Sequence, residues 1–496
     1  MIRALGARRP ARWRRGAILG YPRVAMPRRS SAALFVLAAL ALCPAARANG
    51  VFPATGQIVV DPGDPDHIVV RTTYGLLTTR AAGEPWDWIC EPAVGYGSGF
   101  HPAIALTADG TLFAGLQDGL AVAHGDTCGW AKAPGKIDGI YVVDVSTERL
   151  DPSHSVAVSS GGAQDKAKLW ESLDNAATWT QAGADLPGGF LPLTVDVAPS
   201  DPLRVYVSGL AGSPGNYVGA IVRSLNRGVD WQVLPIPGSL PSTAPFIAAV
   251  HPDNEDVIYV RLDGAPGRLL VSNNGGAAWT EAFVGQGYLR GFALSPDGTR
   301  VLVGGDMDGL WRAPTDTLTF VKVSTVASRC LTWSAAGVYT CATDFVDGFS
   351  VGLSKDDGAT FAPVMLRPCV RGPLDCSPQT TVGELCPAEW PATAMLIQQT
   401  TCEVVDAGTG DAGPEDDAGQ GSGSTGTGAG TTTGSAAAGG GAPSDPSSSS
   451  GLPSGTYGGG CGCGLEGRRP DGSFVALLGA ILAFLRRSRH RRRGAR

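Results

Sequence analysis

Between residues 56 and 361 the chain alternates short apolar runs with tight polar turns. One such stretch is 194–197 (Thr-Val-Asp-Val), the turn 198–202 (Ala-Pro-Ser-Asp-Pro) and 204–207 (Arg-Val-Tyr-Val). The arrangement returns at 292–294 (Phe-Ala-Leu), 295–298 (Ser-Pro-Asp-Gly) and 301–303 (Val-Leu-Val). β-Branched and aromatic residues fit pleated strands, while Pro, Asp and Gly fit turns, so each stretch predicts an antiparallel pair. A third apolar run follows in each unit, as at 76–79 (Leu-Leu-Thr-Thr), 220–223 (Ala-Ile-Val-Arg) and 269–271 (Leu-Leu-Val).

That third run leads into an octad with a Ser seven residues before an aromatic and Asp or Asn at its third position. Four copies are clear: Ser172, Asp174 and Trp179; Ser224, Asn226 and Trp231; Ser272, Asn274 and Trp279; Ser354, Asp356 and Phe361. Degenerate copies keep the spacing from Thr79 to Trp86, Ala123 to Trp130 and Ala313 to Phe320. Successive aromatics lie 44, 49, 52, 48, 41 and 41 residues apart. A period of that size is the signature of a propeller of four-stranded blades. The fold expected is therefore all-β, a seven-bladed propeller with units at 56–88, 100–131, 139–180, 190–232, 245–281, 289–321 and 329–361.

The octad resembles the Asp-box of the bacterial-neuraminidase repeat, a family that includes sialidases, sortilin-type receptors, secreted xyloglucanases and photosystem-assembly factors. The resemblance covers about 310 residues and implies a hairpin between the third and fourth strands of a blade. In that hairpin Asp174 and Asp356 accept backbone N–H groups and the closing ring packs between sheets. The box then serves structure, not chemistry.

Charge and cysteine usage add an address. The formal net charge is −6, yet residues 1–48 and 486–496 hold seventeen Arg and no acid. Residues 49–485 carry 22 basic against 45 acidic side chains, which argues against nucleic acid as a partner. Met26, Arg28, Arg29, the apolar run 32–42 and Ala46-Arg47-Ala48 have the layout of a secretory signal peptide, 1–48, cut before Asn49. Eight cysteines remain in the exported body, an even number that implies disulfides: Cys90, Cys128, Cys330, Cys341, Cys369, Cys376, Cys386 and Cys402. Cys330 and Cys341 are spaced to tie a hairpin, Cys90 and Cys128 to join neighbouring repeats. The last four are expected to staple a loop-rich cap, 364–402, after a propeller domain of 49–363.

Residues 403–460 are Gly, Ser, Thr, Ala, Asp and Pro almost throughout and read as a disordered linker. In 461–496, Cys461 and Cys463 precede the apolar run 474–485 and an Arg cluster. Twelve apolar residues fall short of the ~20 that span a bilayer. Cys, short hydrophobic helix and Arg cluster resemble the myxobacterial C-terminal sorting segment. That resemblance implies a sorting protease, lipid attachment at Cys461 or Cys463 and display at the outer surface. An ordinary tail anchor is the alternative.

The chain carries no His-Glu-x-x-His, no Walker loop and no Rossmann fingerprint. Gly97-Ser98-Gly99 lacks the spacing of a nucleophile elbow. Glycoside cleavage is the enzyme alternative, and it needs two carboxylates across a cleft. Arg71, Arg261 and Arg290 are the cations expected to converge if this were a sialidase-like site. The turns joining second to third strands instead offer Tyr74, Asp118, Asp263, Asp308, Asp347 and Phe349 as an acidic, aromatic-rimmed ligand face. Asp-Gly is first of all a hairpin turn, but rings and carboxylates together suit sugars, cationic peptides or Ca²⁺. No cofactor is expected otherwise. The reading is a displayed, non-catalytic module for a surface protein or glycan, tethered to the membrane through its C-terminal segment or a lipid; a secreted glycoside hydrolase is the alternative.

Overall fold

The computed structural model describes residues 52–80, 85–148, 151–161, 165–398 and 402. The expected signal peptide, linker and sorting segment, with Cys461 and Cys463, lie outside the described residues.

Seven four-stranded antiparallel sheets follow one another along the chain, at 55–89, 104–132, 142–181, 190–235, 245–284, 289–324 and 330–365. We call them blades one to seven. Each is contiguous in sequence, with strands in order from first to last. The first strands pack on one another in sequence around the ring, and that of blade seven packs on that of blade one. The seven units read from the octads coincide with these blades to within a few residues.

The second and third strands are the most buried, as in Ile68–Thr72 and Gly75–Thr79, where every residue is buried. Sheets covered on both faces need continuous apolar runs, which explains the Val- and Leu-rich composition there. Six apolar clusters fill the spaces between blades.

The octads are the hairpins between third and fourth strands, and the four clear copies repeat one hydrogen-bond pattern. In blade three the Ser172 hydroxyl donates to Asp174 at 2.9 Å and accepts from the Ala176 N–H at 2.9 Å. The Asp174 carboxylate accepts the Thr178 N–H at 2.9 Å and its hydroxyl at 2.6 Å. Ser354 and Asp356 do the same with Gly358 and Thr360. Ser224 with Asn226 and Ser272 with Asn274 keep the pattern with an amide oxygen as the acceptor. The two residues inside each turn have positive φ, as a type I′ turn requires: Asn175 and Ala176 at 55° and 63°, Gly275 and Gly276 at 65° and 89°.

Each closing aromatic reaches back to the preceding blade. Trp179 meets Phe113 of blade two edge-on at 5.9 Å, and Phe320 meets Phe283 of blade five at 5.0 Å. The Trp231 indole donates to the carbonyl of Ala184, between blades three and four. In blade one the Trp86 indole donates to the Val364 carbonyl of blade seven at 2.9 Å. The same device that joins consecutive blades therefore closes the ring.

The segment after blade seven differs from expectation. It is no loop-rich knot on the last blade. Gly372–Pro373 adds a fifth, parallel strand outside the fourth strand of blade one. Thr380 then caps a helix, Thr381–Ile397, by accepting the Gly383 N–H. That helix buries Val382, Cys386 and Ile397, and Trp390 packs on Trp88 at 5.5 Å. Cys386 bonds Cys90 at the end of blade one, and Cys376 bonds Cys128 of blade two. The expected Cys90–Cys128 link is thus replaced, and of the four cysteines expected to pair within the segment two, Cys376 and Cys386, bond to blades one and two. Only Cys369–Cys402 stays within the segment, while Cys330–Cys341 ties its hairpin as the spacing predicts.

Candidate functional site

A four-stranded antiparallel blade has two rims. One carries the first turn of the blade and the octad. The other carries the turn between second and third strands and the connection to the next blade; this is the loop rim, where the sequence places the ligand face.

The six residues expected there do not form one surface. Tyr74, Asp308 and Phe349 turn inward, and Asp347 is half-buried. Tyr74 is 2% exposed, and burial raises its phenol pKa. Asp308 is 5% exposed and accepts the N–H groups of Gln286 and Gly287. Asp347 accepts from Ala327 and Thr343, fixing the short helix Asp344–Asp347. Phe349 is buried and faces Phe361 at 6.3 Å. Asp118 and Asp263 are exposed but belong to blades two and five, and Asp118 is paired with Lys132 at 2.5 Å. The hollow beside Tyr74, Arg329 and Phe345 measures about 10 Å³, about the space of one water.

The three candidate arginines also part company. Arg71 of blade one donates to the carbonyls of His101 and Pro102 at the start of blade two. Arg261 of blade five donates to the Leu289 carbonyl of blade six at 2.6 Å, and burial lowers its pKa to about 10. Both cross a blade junction at a matching place. Arg290 lies 3.5 Å from Asp306, which Arg329 of blade seven approaches at 3.7 Å. Two carboxylates on the first strands of blades three and four are likewise engaged: Asp144 accepts the Val195 N–H, and Asp196 accepts from Ser146 and Val197. Burial pushes Asp196 up to about 6. Among the described residues no cluster of three or more His, Cys, Asp or Glu could hold a metal ion.

The roomy concavity lies on blade three and the connection leading into it from blade two. It has a volume of about 500 Å³, within the ~300–1,000 Å³ of small-molecule sites. The blade-to-blade connection supplies Lys136, Ile140 and Tyr141, and the turn between second and third strands supplies Ser160 and Lys166. Lys168 and Trp170 enter from the third strand of blade three. Trp170 is buried, its indole donating to the Ser159 hydroxyl at 2.9 Å, so that wall is fixed. The Ser160 N–H donates to the Tyr141 carbonyl and joins the two loops. Tyr141 continues an aromatic row, 6.3 Å from Phe100, which is 6.2 Å from Tyr96. Asp165 is the one carboxylate among the lining residues.

The turn between the second and third strands of blade three carries no Asp-Gly signal. The signal was a count. The chain has six lysines, and four of them, Lys132, Lys136, Lys166 and Lys168, fall within 37 residues.

No protein-family model matches the chain, and no curated protein matches it. Solved structures similar to it include a Niastella koreensis GH74 enzyme, at 13% identity and TM-score 0.37, covering 63% of this chain and 66% of that one. An ancestral GH74 enzyme is similar at 14% identity and TM-score 0.47, over 62% of this chain and 46% of that one. YCF48 from Cyanidioschyzon merolae is similar at 15% identity and TM-score 0.32, over 47% and 74%. The chain thus spans less than two thirds of the two GH74 enzymes, and no function passes from these structures to it.

Proposed function

We propose that the chain is an exported, non-catalytic binding module that holds its ligand in the groove formed by blade three and the connection leading into it. The observation that carries this reading is the groove itself: about 500 Å³, with aromatic and polar walls and a single lining carboxylate. The common two-carboxylate mechanism of glycoside hydrolysis needs an acid on either side of the bond, and the lining supplies one. Four disulfides suit an oxidising compartment, in keeping with export. Surface display through Cys461 or Cys463 is part of the proposal.

The test uses the purified full chain on an array of neutral and charged oligosaccharides, followed by a reducing-end assay on every sugar retained. Binding without cleavage is expected, with loss of binding in Ser160→Trp, where the added ring fills the groove. Release of new reducing ends would replace the module by a hydrolase. Mass spectrometry of the mature protein tests its address: a chain from Asn49 to Cys461 or Cys463 with added lipid mass is expected, and an intact Arg496 would refute sorting.

A further inference from the structure

Arginine and lysine have separate roles in this molecule. All thirteen arginines of the described residues have a hydrogen bond or ion pair. Many of them cross blade junctions: Arg204 to Asp256, Arg227 to Glu171, Arg312 and Arg300 to Asp357. The lysines gather at the groove instead. Lys168 is held 3.6 Å from Asp185, while Lys136 and Lys166 have no carboxylate within ion-pair distance among the described residues. The lining therefore carries three cations against Asp165, in a body where acids outnumber bases two to one. Unpaired cations on such a surface lower the local negative potential and raise the local concentration of an anionic ligand.

Resting on the groove as the binding site, we infer that its ligand is an acidic glycan, one whose sugars carry carboxylate or sulfate groups. Lys136 and Lys166 meet the anionic groups, and the Tyr141 ring lies against the apolar face of a pyranose. Ser160 and Gln181 offer hydrogen bonds to its hydroxyls.

The experiment is titration calorimetry of the full chain with hexagalacturonate, cellohexaose and hexaglutamate at 50 and 300 mM salt. Hexagalacturonate is expected to bind at least ten-fold tighter than cellohexaose and to weaken several-fold at the higher salt. The double variant Lys136→Ala, Lys166→Ala is expected to lose about ten-fold in affinity for the uronate, and Lys136→Arg, Lys166→Arg to retain it. Equal binding of both sugars, an unchanged affinity in the double alanine variant, or binding of no sugar overturns the inference, and so does preference for hexaglutamate. Cellohexaose binding as tight as that of hexagalacturonate, and lost in Ser160→Trp, would end the acidic-glycan inference and leave the binding module standing. Cleavage of a hexamer would end the binding module itself.

Discussion

Within an octad, Ser and Asp divide the work by burial. Ser172 is 1% exposed, and its hydroxyl is the acceptor for the buried Ala176 N–H. Asp174 lies at the surface, where water can replace a lost acceptor. Removing a buried partner costs about 1–3 kcal/mol, against about 1 for a solvated hydrogen bond. Ser172→Ala should therefore destabilise more than Asp174→Ala in urea unfolding; the reverse order would mean that the carboxylate, not the hydroxyl, fixes the turn. A second residue ties stability to pH. His154 is 2% exposed, with Glu148 2.6 Å from Nδ1, Glu171 2.9 Å from Nε2, and Arg227 beside Glu171. Burial opposes its charge, but the hydrogen bonds and charges of Glu171 and Glu148 outweigh burial and raise its pKa. The folded state then binds the proton more tightly than the unfolded one. Its contribution is complete below about 6.5 and is lost as pH rises through the folded value. His154→Gln should flatten the fall in melting temperature above pH 6.5; an unchanged slope would refute the assignment.

At the scale of the hairpin, the fifth octad position decides how much strain the turn holds. It has positive φ in all four copies, and three carry Gly: Gly228, Gly276 and Gly358 at 84°, 89° and 86°. Blade three places Ala176 there at 63°. A Cβ in that region costs about 1–2 kcal/mol, part of which is regained because Ala restricts the unfolded chain. Ala176 is itself buried, and its methyl contributes about 0.8 kcal/mol, so Ala176→Gly should leave stability within about 0.5 kcal/mol of the parent; calorimetry showing a loss above about 1 kcal/mol would contradict the strain. The hairpins were readable because their chemistry is local: spacing, turn residues and ring all lie within eight positions. The helix Thr381–Ile397 was not, because Pro387 and Pro391 interrupt its pattern and its place is set by contacts to Trp88 and Cys90. The ligand-face residues failed for a related reason. An Asp-Gly turn marks a hairpin equally well when the carboxylate caps backbone, as Asp308 does, and when it faces solvent, as Asp118 does. The groove is built from blade three and the connection leading into it, and Lys136 and Lys166, thirty residues apart, line it together only once that blade has folded.

A ring of contiguous blades has one weak seam, where blade seven meets blade one without a covalent connection in sequence. Side chains cross it: Thr332 donates to the Ile58 carbonyl at 2.8 Å, Thr55 to that of Ser350, and Trp86 to that of Val364. The segment after blade seven then bridges it, and the Cys90–Cys386 and Cys128–Cys376 bonds span 296 and 248 residues. In the chain-entropy account a bond closing a loop of that size stabilises by about 5 kcal/mol, against about 3 for a loop as short as that of Cys330–Cys341. The two long loops are nested, so their contributions are not additive. Removing the outer bond by Cys90→Ser with Cys386→Ser should lower the melting temperature by about 10 °C, and Cys330→Ser with Cys341→Ser by about half as much. If the segment is the lock on the ring, the first variant should also split one unfolding transition into two, as blades one and two separate from the rest. A single transition with equal losses in both variants would show that the seam is held by the side-chain contacts of Thr332, Thr55 and Trp86 alone.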